Sequence, residues 1–150
     1  MNLSEGFEYY KQVCAWNCDL KVKMKILSNI LEACYKNHWR VTGVTKEALN
    51  VFKAHNYKKV SRMGINRGHI HDRHDTLKQL IQFPFDNVND WWNFYYDRDT
   101  TILMTSTENM SNQLSEVYDV PQGVDLFHTS GFAWKHGKDE IKFLTELDEV

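Results

Sequence analysis

Residues 100–112 read "TTILMTSTENMSN". The first six are β-branched or apolar, the composition of a buried strand. A helix start follows at once, because Thr105 and Glu108 fit the S/T-x-x-E capping box. The chain therefore passes from strand to helix without a linker. Met110, Leu114, Val117 and Tyr118 form the expected buried face of that helix, which leaves Asn109 and Asn112 on its other side.

Upstream, residues 57–70 read "YKKVSRMGINRGHI", and their alternation predicts one or two short strands. The continuation "NRGHIHDRHDT", residues 66–76, packs three histidines, two arginines and two aspartates into eleven positions. A buried strand would be rich in Val, Ile and Leu, and an ordinary loop in Gly, Ser, Pro and Asn. Such a concentration marks either a solvated ribbon or a site. "DTLKQLIQF" from Asp75 predicts a brief capped helix stopped at Pro84, and an aromatic insertion follows, part loop and part helix. Its "WWNFYY", residues 91–96, could stack bases, but irregularly spaced tryptophans are more often core.

Working back to the start, Leu3, Phe7, Tyr10 and Cys14 make one helical stripe. Leu20, Met24, Leu27, Leu31 and Cys34 make a second, with Gly43 shortly beyond it. Thr45 caps a short helix through about His55, with Leu49 and Phe52 inward. Residues 119–137 read as loop or irregular strand, and "KDEIKFLTELDEV" closes with a helix.

At 150 residues the chain suits one domain. Apolar content of 42% with 25% charged residues is globular, while 13% aromatics supply core or flat stacking surfaces. A net charge of −2 makes no global case for nucleic acid, but residues 53–78 hold seven Lys or Arg against Asp72 and Asp75. Three cysteines outside any small secreted framework point to reduced thiols in a cytosol. Nothing at the N-terminus resembles a signal peptide, and no apolar run is long enough to span a membrane.

Strand with "RGHI", excursion, strand "TILMT" and capped helix with Asn is the order of parts in a ββα-metal finger. "NRGHIHDR" resembles the Asp-Arg-Gly-His motif of non-specific His-Me finger nucleases, and "TTILMTSTENMSN" resembles the strand and helix that follow it. HNH endonucleases are the neighbouring group. The resemblance covers about residues 57–118. It implies His69 as general base, Arg67 as the motif's arginine, and Asn109 as metal ligand with Asn112 as a second candidate. Asn66 stands where the motif has Asp, and Gly68 where many HNH enzymes carry a metal-binding Asp or His. The implied cofactor is Mg²⁺ or Mn²⁺ and the implied substrate DNA, in an enzyme of the kind common in phages and mobile elements, acting in the host cytoplasm. Phosphodiester hydrolysis needs a base for water and a cation for the leaving oxygen, which imidazole and amide oxygen can supply.

The expected fold class is α+β: an N-terminal helical hairpin packed on a small ββα-metal finger, then a C-terminal helix. Within a single domain 1–150, the helical part is 1–56, the finger 57–118 and the extension 119–150. Lys58, Lys59, Arg62 and Arg73 are the expected phosphate contacts. His71 and His74 could assist or lie on the surface. Cys14, Cys18, Cys34 and His38 have i,i+4 spacings that could close a structural zinc site, although Cys14 and Cys34 fall on apolar stripes. Two other classes compete: a non-enzymatic protein binding nucleic acid or an acidic partner through residues 53–78, and a metal-independent RNase using two histidines.

Overall fold

The computed structural model describes residues 1–35, 37–128 and 133–149, and residues 129–132 of the expected C-terminal loop lie outside the described residues. The fold is α+β, and it divides into two compact units that are not continuous in sequence: Met1–His38 with His71–Asp99, and Trp39–Ile70 with Thr100–Val150.

The first unit is helical, with α1 (Leu3–Ala15), α2 (Leu20–Cys34), α4 (Arg73–Gln82) and α5 (Val88–Arg98). Both apolar stripes at the N-terminus form as expected. Their buried residues meet Leu80 of α4 and Trp91 and Tyr95 of α5 in one cluster. Tyr10 stacks on Trp91 with ring centroids 5.3 Å apart, and its hydroxyl donates to the Leu80 carbonyl at 2.6 Å. The aromatic insertion is therefore core. Each fully buried large apolar side chain of this kind contributes roughly 1.5–3 kcal/mol. Gly6 lies against Cys34 Sγ with no room for a Cβ, so α1 and α2 meet closely at that point.

The second unit holds β1 (Arg40–Thr45), α3 (Lys46–Ala54), β2 (Ile65–His69), β3 (Thr100–Thr105), α6 (Ser106–Ser111), β4 (Val117–Asp119) and α7 (Lys138–Asp148). The sheet order is β2-β3-β1-β4, with β1 parallel to β3 and the other pairs antiparallel. Val44, Phe52, Leu103 and Leu144 are buried in its core.

Three differences from the sequence reading stand out. Residues 40–54, assigned to the helical part, belong with the sheet, and residues 71–99, assigned to the finger, belong with the N-terminal helices. β1 and β4 were not anticipated. Of the one or two short strands expected within residues 57–70, one forms, β2 at Ile65–His69. The helix after β3 is also shorter than its expected face: it stops at Ser111 because Asn112 adopts a left-handed conformation, φ 57°. Met110 is accordingly 87% exposed, and Val117 and Tyr118 lie in β4.

Candidate metal-binding cleft

Pairing of β2 with β3 runs from Ile65 opposite Thr105 to His69 opposite Thr101. α6 begins at the next residue, and its Ser106 N–H donates to the Gly64 carbonyl at 2.8 Å. Strand, strand and helix thus fold as one local unit.

Glu108 fixes that helix. Its Oε1 accepts from the Thr45 hydroxyl at 2.7 Å, the Thr105 N–H at 3.1 Å and the Thr105 hydroxyl at 3.2 Å. Its Oε2 accepts from the Ser115 N–H at 2.8 Å and the Ser115 hydroxyl at 2.9 Å. Thr45 and Thr105 are themselves the N-caps of α3 and α6. One carboxylate therefore links both caps and turns the chain back after α6. Burial works against its charge, but the hydrogen bonds from Thr45, Ser115 and Thr105 outweigh it and hold its pKa at about 2.

Asn109 follows Glu108 directly. A Cβ on Gly68 would lie 2.9 Å from Asn109 Oδ1 and 2.8 Å from Met104 Sδ, so only glycine lets the amide oxygen approach the strand this closely. His69, Ile70, Met104, Asn109, Asn112 and Leu114 line a cleft of about 330 Å³ at this point. The structure thus brings His69, Asn109 and Asn112 to one cleft. The strand residue directly against Asn109 is Gly68, while the His69 ring meets Trp39 edge-on, with centroids 4.6 Å apart. His69 Nε2 is shielded from solvent.

Arg67, two residues back on the same strand face, sets its guanidinium 5.3 Å from the Trp39 ring centroid. Arg67 and Arg40 are each only 8% exposed. Their charges add to burial in holding His128 below the ordinary imidazole range, against the opposing charge of Asp125. Lys59 is likewise lowered, first by burial and then by Arg67. Trp39, Arg40 and His128 were missed in the sequence, where no motif marks them.

Lys58, Lys59 and Arg62 are exposed in the connection to β2. Lys59 Nζ sits 4.0 Å from the Trp134 ring centroid and donates to the Trp134 carbonyl. Tyr57 and Arg62 hold positive φ, 62° and 59°. Tyr57 is anchored through its hydroxyl to Asp148 at 2.6 Å and through its carbonyl to His136 Nε2 at 2.9 Å. Because His136 Nδ1 accepts from Trp134 Nε1, its Nε2 carries the proton.

Arg73 belongs to the helical unit. Its guanidinium donates to Ser28 at 2.8 Å, Glu32 at 3.2 Å and the buried Asp99 at 3.4 Å, a structural engagement rather than a free phosphate contact. His71 and His74 are exposed. His74 falls in a cluster with Asp72 and Asp75, the group among the described residues whose ligand atoms lie close enough to share an ion. Asp72 also caps α4. The thiols of the i,i+4 spacings point to different elements: Cys14 Sγ to the Leu80 carbonyl at 3.9 Å, Cys34 Sγ to the Asn2 carbonyl at 3.8 Å. Cys18 is exposed.

Among the described residues, no helix is long and apolar enough to cross a membrane. Compared with protein-family models, curated proteins and solved structures, the chain gives no match.

Proposed function

We propose that this protein is a divalent-metal-dependent endonuclease that hydrolyses phosphodiester bonds in DNA. The observation that carries the reading is the close approach of Asn109 Oδ1 to Gly68, one residue before His69, at a cleft that His69 also lines. The amide oxygens fit Mg²⁺ or Mn²⁺: they are hard donors, Asn109 is an exposed residue, and Mg²⁺ keeps several of its waters. Asn109 would hold the ion, with Asn112 the second candidate for that role, and the ion would supply charge stabilisation of the leaving oxygen.

His69 takes the proton from the attacking water. Arg67 supplies positive charge for the phosphate, its plane steadied by Trp39. Lys58, Lys59 and Arg62 hold flanking phosphates and fix register without reading sequence. The reading includes a cytoplasmic setting, supported by three free thiols.

Purified protein incubated with supercoiled plasmid and a circular single strand tests it. Cleavage with Mg²⁺ or Mn²⁺ that stops in EDTA is the expected result. Binding without cleavage under any divalent metal supports a non-enzymatic nucleic-acid-binding protein instead, and an RNA strand that is cut in EDTA while both DNA substrates stay intact supports the metal-independent RNase chemistry.

A further inference from the structure

The geometry points to a nucleobase pocket in the cleft beside Asn109, and hence to single-stranded or locally unpaired nucleic acid as the substrate; this rests on the nuclease reading for the identity of the ligand. At about 330 Å³ the cleft is at the small end of ligand sites, which run from roughly 300 to 1,000 Å³, so it suits one ring system rather than a chain segment.

Its lining is chemically selective. Ile70 and Leu114 keep large apolar side chains in water, 51% and 42% exposed, next to the thioether of Met104. A flat π-face covers such groups well, and every base has one. Asn109 and Asn112 add neutral amides, and an Asn side chain offers the adjacent donor and acceptor that match a base edge. If Asn109 holds the ion, Asn112 is the reader. Its left-handed backbone at the end of α6 is one that Asn tolerates, and the Glu108–Ser115 bonds hold the return just beyond it.

The charges lie elsewhere. Of the six lining residues only His69 can be cationic and none is a carboxylate, whereas Arg40, Arg67 and Lys59 carry the buried or lowered positive charge. With the scissile phosphate at the ion and His69, the neutral face of Ile70, Met104 and Leu114 suits the adjoining base. Within a duplex both faces of a base are stacked and its edge is paired, so a base enters only when unstacked.

Fluorescence anisotropy in EDTA, on the full chain, tests this without cleavage. The probes are a single-stranded DNA oligonucleotide, its duplex, and the same single strand with abasic sites. The intact single strand is expected to bind about tenfold tighter than either of the others. Ile70→Ser and Leu114→Ser, both at exposed positions, should remove that preference while duplex affinity stays unchanged. Equal affinity for intact and abasic strands overturns the pocket, as does binding of none of the three. Because no turnover is read, a failed cleavage assay leaves this outcome interpretable, and a failed pocket leaves the cleavage assay standing.

Discussion

His69→Ala is expected to slow Mg²⁺-dependent cleavage by about 10²- to 10⁴-fold, the usual cost of removing a positioned general base. The side chain sits at the end of β2, half-buried, with its ring edge-on to Trp39, so its loss should leave the β2–β3 pairing intact. Thermal unfolding of the variant should stay close to that of the wild type, which separates lost chemistry from lost fold. His71→Ala and His74→Ala remove exposed imidazoles outside the cleft and should cut at nearly the parent rate. Single-turnover rates on a plasmid read all three variants. A His69→Ala protein that cuts as fast as wild type removes the residue from the mechanism.

Glu108→Gln is expected to destabilise the protein by about 3 kcal/mol at neutral pH, the equivalent of a carboxyl held at about 2 rather than 4.5. The amide loses the charge and turns an NH₂ toward donors from Thr45, Thr105 or Ser115, leaving hydrogen bonds unmade in a site only 6% exposed. A depressed carboxyl pKa contributes stability that is fully present above the ordinary value and is lost as pH falls through the folded one. The gap between wild type and variant should therefore narrow from pH 5 downward and fall to roughly half by pH 3. Urea unfolding at pH 7, 5 and 3 measures it. A gap of constant size across that range would mean that the carboxylate charge is not what holds α6.

Local signals read well in this sequence. The stripes of α1 and α2, the Thr45 cap and the Thr105–Glu108 capping box each depend on residues within one or two turns, and all are found in place. β1 was invisible because its pairing is not local: Arg40 lies opposite Thr100, sixty residues away, and "RVTGVT" has neither length nor clean alternation to announce it. Gly43 looked like a helix end marker, yet it serves the sheet, where Val117 Cγ1 leaves no space for a Cβ. Met110 and Leu114 fitted helical spacing, but the helix ends before that spacing can bury them, since Glu108 draws Ser115 back.

The placement of the candidate residues was legible in part. The string around His69 and the Asn109 position both reach the cleft, because a strand, a cap and a glycine are local features. The charge count over residues 53–78 was less informative. It joined Lys59, packed on Trp134 in the sheet unit, to Arg73, which belongs to the helical unit and pairs there with Asp99, 26 residues further along. A run of like charges in sequence need not be one surface in space.

Whether His69 and Asn109 face a common ion decides the account most directly. NMR spectra of the full chain, with assigned side chains, can be followed as substoichiometric Mn²⁺ is added, since the paramagnetic ion broadens resonances nearest to it. The account predicts that the Asn109 side-chain amide and the His69 imidazole broaden first, and that Asn109→Ala abolishes the effect on His69. Broadening confined to Asp72, His74 and Asp75, the exposed cluster on the helical unit, would contradict it.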